Sequence, residues 1–279
     1  MTALFAVAAK EIRDGLRNRW VVAIALIFAF LAIGLAWFGP AVSGTVGFAP
    51  LATTIVSLSS LAVFLIPLIA LMLGYDTVVG EDESGTLTLL LTYPISRLQL
   101  LGGKFLGHAA ILALSTVLGF GAAGLLIAAL TQQLDSAALW REFGFFILTA
   151  TLLGWVFAAM ACLISVSVTE KAKAAGLALV VWFGAVIVFD LALLGLLVAT
   201  RGAVGELGRV VLPYLLLLNP ADVFRVANLV GFAPARSYAG LANVVAADTL
   251  SPAVLVAVLA GWAALTFALA AWRFQRRNI

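Results

Sequence analysis

The residues best equipped for chemistry lie in GEDESGTLTLLLTYPISRLQLLGGK, positions 80–104. Glu81, Asp82 and Glu83 stand side by side in a chain of which only 10% of residues are charged. Carboxylates that converge can serve acid–base chemistry or hold a hard cation. Consecutive side chains on a helix point about 100° apart and do not converge. No His stands close by, and no D-x-D or E-x-x-H spacing supplies further ligands. The trio therefore predicts neither a metal site nor a catalytic one. Gly102-Gly103-Lys104 is followed by Phe105 and lacks the earlier glycine, so the phosphate-cradling pattern G-x-x-x-x-G-K-[ST] is absent. The single cysteine, Cys162, allows no intrachain disulfide.

These residues sit in an unusual chain. Of 279 residues, 64% are hydrophobic and the mean hydropathy is +1.18. A soluble domain is about a quarter charged; this chain has too few charges to cover a water-facing surface, which points to an integral membrane protein. Net charge is +3 and the pI about 9.3, but the basic residues flank apolar runs and do not indicate nucleic acid. Six apolar runs are long enough to span hydrocarbon: 20–38, 51–74, 105–130, 143–168, 176–200 and 253–272. Only His108 and Asp190 place an ionisable group inside them.

Six spans put both termini on one side. That side holds eleven basic residues: Lys10, Arg13, Arg17, Arg19, Arg97, Lys104, Lys171, Lys173, Arg273, Arg276 and Arg277. The other holds five: Arg141, Arg201, Arg209, Arg225 and Arg236. The bias predicts cytoplasmic termini. The first apolar run is too long for a signal-peptide core and no A-x-A site follows it, so a retained span is predicted.

The connections carry their own signals. In residues 1–19, Lys10, Arg13 and Arg17 share one helical face and Phe5, Ile12 and Leu16 the opposite one, which predicts an amphipathic helix in the membrane interface, against lipid. After the acidic trio, Leu87, Leu90 and Leu91 recur at i, i+3, i+4, which makes one short amphipathic helix. Tyr93-Pro94 ends it, and Ser96 to Gln99 reads as a capping box for the helix that follows. Between the fifth and sixth spans, residues 201–252 form a long outer connection. Pro213 interrupts its apolar stretch, Asn219-Pro220-Ala221-Asp222 is a helix start, and Gly231 is a stop. These predict re-entrant or interfacial helices over 203–230, against a competing seventh span at 207–230. Ser251-Pro252 opens the sixth span. Asp190 is expected to be paired or functional, since a charge within a span is costly. His108, four residues after Lys104, is expected to snorkel toward the interface. Gly103-x-x-x-Gly107 and Gly119, Gly121 and Gly124 permit close helix packing.

The segment 80–104 closely resembles the stretch after the second span of type-2 ABC transporter permeases. Glu81, Glu83, Gly85, Thr86, Leu87, Pro94, Arg97 and Lys104 carry the match, and Leu-Asn-Pro at 218–220 is a second, smaller one. The resemblance implies one permease domain over 1–279: an all-α polytopic fold with an interfacial helix at 1–19, six transmembrane helices, a cytoplasmic coupling region at 80–100, and outer re-entrant helices in 201–252 before the last span. It implies a separate ATPase subunit in two copies, holding ATP and magnesium, and a second copy of this chain, in a bacterial inner membrane. It further implies that Glu81, Asp82, Glu83, Gly85, Thr86, Leu87, Leu90, Pro94 and Arg97 contact the ATPase. No catalytic residue, cofactor or metal is expected in this chain. Within the family, residues 74–107 and the chain length are most similar to permeases serving copper-site maturation of nitrous oxide reductase. That narrower resemblance implies a periplasmic β-helical accessory protein. The soft donors for copper are Met1, Met72, Met160, Cys162 and His108, and no two of them lie at i, i+3 or i+4. The rival readings are a secondary transporter or channel, for which only Asp190 qualifies as an intramembrane charge, and a permease-like subunit that transmits force without transport.

Overall fold

The structure, a computed structural model, describes residues 3–38, 51–130, 136–199, 213–231 and 250–277. Among these residues there are helices and no strands. In chain order they are α1 (Ala3–Arg17), α2 (Trp20–Phe38), α3 (Leu51–Gly74), α4 (Val79–Glu83), α5 (Thr86–Thr92), α6 (Arg97–Leu130), α7 (Ser136–Ser167), α8 (Lys171–Phe183), a π-helical turn (Gly184–Val188), α9 (Phe189–Ala199), α10 (Pro220–Gly231) and α11 (Pro252–Arg276). Among the described residues six stretches are long and apolar enough to cross a membrane. They follow α2, α3, α6, α7, α8 with its continuation, and α11. The chain is a polytopic all-α membrane protein.

The helices extend beyond the apolar runs where polar caps allow. α6 starts at Arg97, eight residues before the apolar run, because the capping box forms: Ser96 N–H donates to Gln99 Oε1 (3.0 Å) and Gln99 N–H to Ser96 Oγ (3.1 Å). Ser251 Oγ accepts from Val254 N–H (3.3 Å) with Pro252 in the first turn of α11. The helix predicted after the acidic trio forms as α5, and Gly85, at φ 71° in a left-handed conformation that favours glycine, separates it from α4, which carries the trio.

α7 is the most buried span, packed against α3, α6 and α11. A run of aromatic contacts joins four helices across the core. Phe28 stacks on Phe120 (4.7 Å between centroids), Phe120 meets Phe146 edge-on (4.9 Å), and Phe146 lies 6.0 Å from Phe224 of α10. Three indoles tie helices by donating to main-chain carbonyls: Trp155 to Ala109, Trp182 to Phe64 and Trp262 to Leu217.

Of the competing seventh span at 207–230, the described residues include α10. Its 12 residues reach about 18 Å at 1.5 Å per residue, against roughly 30 Å of hydrocarbon. It is a short helix packed against α3, α7 and α11. Its start matches the sequence signal, with Asn219 Oδ1 accepting from Ala221 N–H (3.2 Å). Residues 201–212 and 232–249 of the outer connection lie outside the described residues, so only part of the predicted 203–230 pair is seen.

The glycines of α6 serve contacts within the chain. A Cβ on Gly103 would lie 2.7 Å from Leu4 O, and one on Gly107 would lie 2.4 Å from Glu11 Cβ, so α1 rests directly on the α6 backbone. One on Gly119 would lie 2.7 Å from Ala25 O of α2. Gly121 faces open space. We expect Gly103→Ala to destabilise the protein by about 1–3 kcal/mol through overpacking, whereas Gly121→Ala is neutral or stabilising by roughly 0.5–1 kcal/mol. Thermal unfolding of the two purified variants in detergent checks the contrast.

Candidate functional site

The acidic trio and the helices around it form a joint at the end of the bundle where α1 begins and α11 finishes. Each acid has a different partner. Glu81 Oε1 accepts from Lys104 Nζ (2.7 Å), which also reaches Glu11 Oε1 of α1 (3.3 Å). Asp82 pairs with the guanidinium of Arg277, just past α11. Glu83 Oε2 accepts from the main-chain N–H of Lys171 (2.9 Å), at the first turn of α8, where a helix presents unsatisfied donors and partial positive charge. Asp76 adds a second tie to that residue through Lys171 Nζ (2.8 Å). The three side chains diverge, as consecutive helical positions must, and each reaches a different element.

The main chain is tied as firmly. Ser165 Oγ of α7 accepts from Val78 N–H and Val79 N–H (2.9 and 3.0 Å), capping the start of α4. Arg277 also donates to the carbonyls of Val166 (3.2 Å) and Val168 (2.9 Å) at the end of α7. Arg97 donates to Phe274 O (3.1 Å), Gln275 O (3.2 Å) and Arg277 O, closing the end of α11. Beneath these, Val78, Leu87, Leu100, Leu101, Cys162, Val166 and Phe274 form a second apolar core distinct from the main one.

Lys104 and His108 are both buried, 4% and 8% exposed. His108 does not snorkel: its Nδ1 lies 3.4 Å from Thr77 Oγ1 and its Nε2 3.9 Å from Glu11 Oε2. α1 packs directly on α6 at Gly107, and His108 sits in the wall of a cavity of about 280 Å³ shared with Glu11, Glu81 and Lys104. Burial works to raise the Glu11 carboxyl, but Lys104 and Lys10 outweigh it and hold the group below the usual carboxylate range.

The residues implied as partner contacts differ in exposure. Glu83, Gly85, Thr86 and Pro94 are exposed. Glu81, Asp82 and Arg97 are half-buried and engaged with α6, the C-terminal residues and α11. Leu87 is wholly buried and Leu90 half-buried, so Leu87 is corrected from a surface residue to a core one. The outward apolar side chains are Leu89 and Tyr93, each 64% exposed. Their i, i+4 spacing was a readable signal, hidden because the run Leu87–Leu91 offers apolar residues to both faces.

Asp190 is not alone. Arg225 of α10 pairs with it through both nitrogens (3.1 and 2.8 Å) and with Asp222 (2.9 Å). Asn219 donates to Asp222 Oδ2 (2.8 Å) and to Ala185 O in the π-helical turn (2.6 Å), which joins α10 to the fifth span. Burial holds the Asp222 carboxyl above its ordinary range, with the Asp190 charge adding to it and Arg225 opposing. Counting Arg225 as a loop charge concealed this pairing in the sequence. Among the described residues no group of three or more His, Cys, Asp or Glu gathers as a metal site, and Cys162 lies inside the second core.

The six spans and the tied joint between the second and third define a polytopic membrane protein with a structured connection between those spans. Residues 5–279 match the family of ABC-2 family transporter proteins, and the chain belongs to it. It is 51% identical over 277 residues, 99% of each chain, to the probable ABC transporter permease protein NosY of Stutzerimonas stutzeri. It is 50% identical over 279 residues, the whole of both chains, to the protein of the same name in Pseudomonas aeruginosa.

The division of the leucines is testable. Leu87→Ala should cost about 2–5 kcal/mol, as for a buried leucine, and Leu89→Ala no more than roughly 0.5 kcal/mol, as for an exposed one. Paired unfolding measurements in detergent decide it.

Proposed function

We propose that this permease subunit receives the work of a separate ATPase subunit through the outer face of α5. The observation that carries the reading is the pair Leu89 of α5 and Tyr93, the residue that ends it: large, exposed and four residues apart, on a segment tied through α4 to α6, α8 and the C-terminal residues. An exposed apolar pair beside exposed threonines, Thr86, Thr88 and Thr92, supports a contact surface. Glu83, Gly85, Thr86, Thr88 and Pro94 would form its rim. ATP and magnesium belong to the partner. Displacement of α5 reaches the second and third spans because α4 continues from α3 and the Pro94 turn leads into α6.

The assembly proposed is two copies of this chain with two ATPase subunits in a bacterial inner membrane, both termini cytoplasmic. The basic bias toward that side supports the orientation. The relatives named NosY, at about half identity over full length, support a role in copper-site maturation of nitrous oxide reductase, with a periplasmic β-helical protein as a further partner. The pairing of Asp190 with Arg225 supports a structural tie for that carboxylate, since both charges are satisfied within the chain.

Leu89→Asp should abolish co-purification with the ATPase subunit and its stimulated hydrolysis while leaving the unfolding temperature of the isolated chain unchanged. Glu83→Lys should weaken both. If the two variants assemble and stimulate hydrolysis like the wild type, α5 is not the contact.

A further inference from the structure

The end of α11 forms a second surface that the coupling reading does not use. A cavity of about 350 Å³ opens there, lined by Val166, Ser167, Thr169, Trp272, Arg273, Arg276 and Arg277. None of its lining residues is acidic. Arg277 is committed to Asp82 and to carbonyls of α7. Arg273 and Arg276 are exposed and have no carboxylate partner among the described residues. The Arg276 guanidinium lies 4.5 Å over the Trp272 ring. Stacking uses the face of the guanidinium and leaves its in-plane N–H donors free, in the fork that suits two phosphate oxygens.

The cavity is continuous with an apolar track. Leu265, Leu269 and Trp272 are 56%, 46% and 51% exposed, and their spacing of four and three residues sets them on one stripe of α11 that ends at Arg276. A free anion has no use for the stripe. A lipid does: its chain lies along the leucines while its phosphate reaches the arginines, with the indole at the level between.

We propose that this cavity is a binding site for an anionic phospholipid, with Arg273 and Arg276 pairing its phosphate and the Leu265–Leu269–Trp272 stripe holding an acyl chain. Basic pockets at helix ends near a membrane surface suit such headgroups, and each basic residue contributes to the attraction. The inference rests on α11 crossing a membrane and not on the ATPase reading.

Native mass spectrometry of the full chain in neutral detergent tests it, with no ATPase present. Phosphatidylglycerol should bind in preference to phosphatidylcholine. Arg273→Gln with Arg276→Gln should lower phosphatidylglycerol binding by roughly tenfold. Arg273→Lys with Arg276→Lys should retain most of it, and Arg141→Gln, an exposed arginine at the start of the fourth span, all of it. Unchanged binding in the double glutamine variant overturns the proposal, as does an equal loss in the Arg141 variant. Displacement of the lipid by millimolar inorganic phosphate would make the site one for soluble anions and would overturn the lipid assignment.

Discussion

Lys104 is the constraint on which the joint depends. An ammonium taken out of water is costly unless opposite charge meets it within hydrogen-bond reach. Lys104 is 4% exposed and meets two carboxylates, Glu81 of α4 and Glu11 of α1. Neither neighbour can leave without stranding the other charges, and breaking a buried pair typically costs about 3–5 kcal/mol. The same cation therefore holds α1 on one flank of α6 and the α4 turn on the other. The bare backbone at Gly103 and Gly107 lets α1 come close enough for Glu11 to reach it.

From that point the rest of the terminal face follows. With Glu81 held by α6, Asp82 and Glu83 emerge in other directions, toward Arg277 and the start of α8. Three carboxylates that cannot act together on one ligand can tie one short helix to three different parts of the chain. A segment tied in this way is joined firmly to the bundle, which the push on α5 proposed above requires. The left-handed Gly85 supplies the corner that turns Leu87 inward and leaves Leu89 outward.

Most of the architecture was legible in the sequence, because hydrocarbon thickness and backbone satisfaction leave few alternatives for long apolar runs. Caps with local logic were legible too: the Ser96–Gln99 box, Asn219-Pro220 and Ser251-Pro252 all act as their spacing says. What stayed hidden depended on long-range contacts. The partners of Glu81, Asp82 and Glu83 lie 23, 195 and 88 residues away, beyond any local pattern. His108 seemed free to snorkel, but packing buries it. Leu87 and Leu89 differ by two positions in a uniform run, and only the packing of the second core separates them.

The most direct test of the account is hydrogen–deuterium exchange of the Lys104→Met variant, in which the shape of the side chain is roughly kept and its charge removed. If Lys104 holds both flanks, amide protection in residues 3–17 and 79–92 falls together, while residues 143–167 in the core of the bundle keep theirs. Wild-type protection in both segments, or loss in one alone, would contradict it.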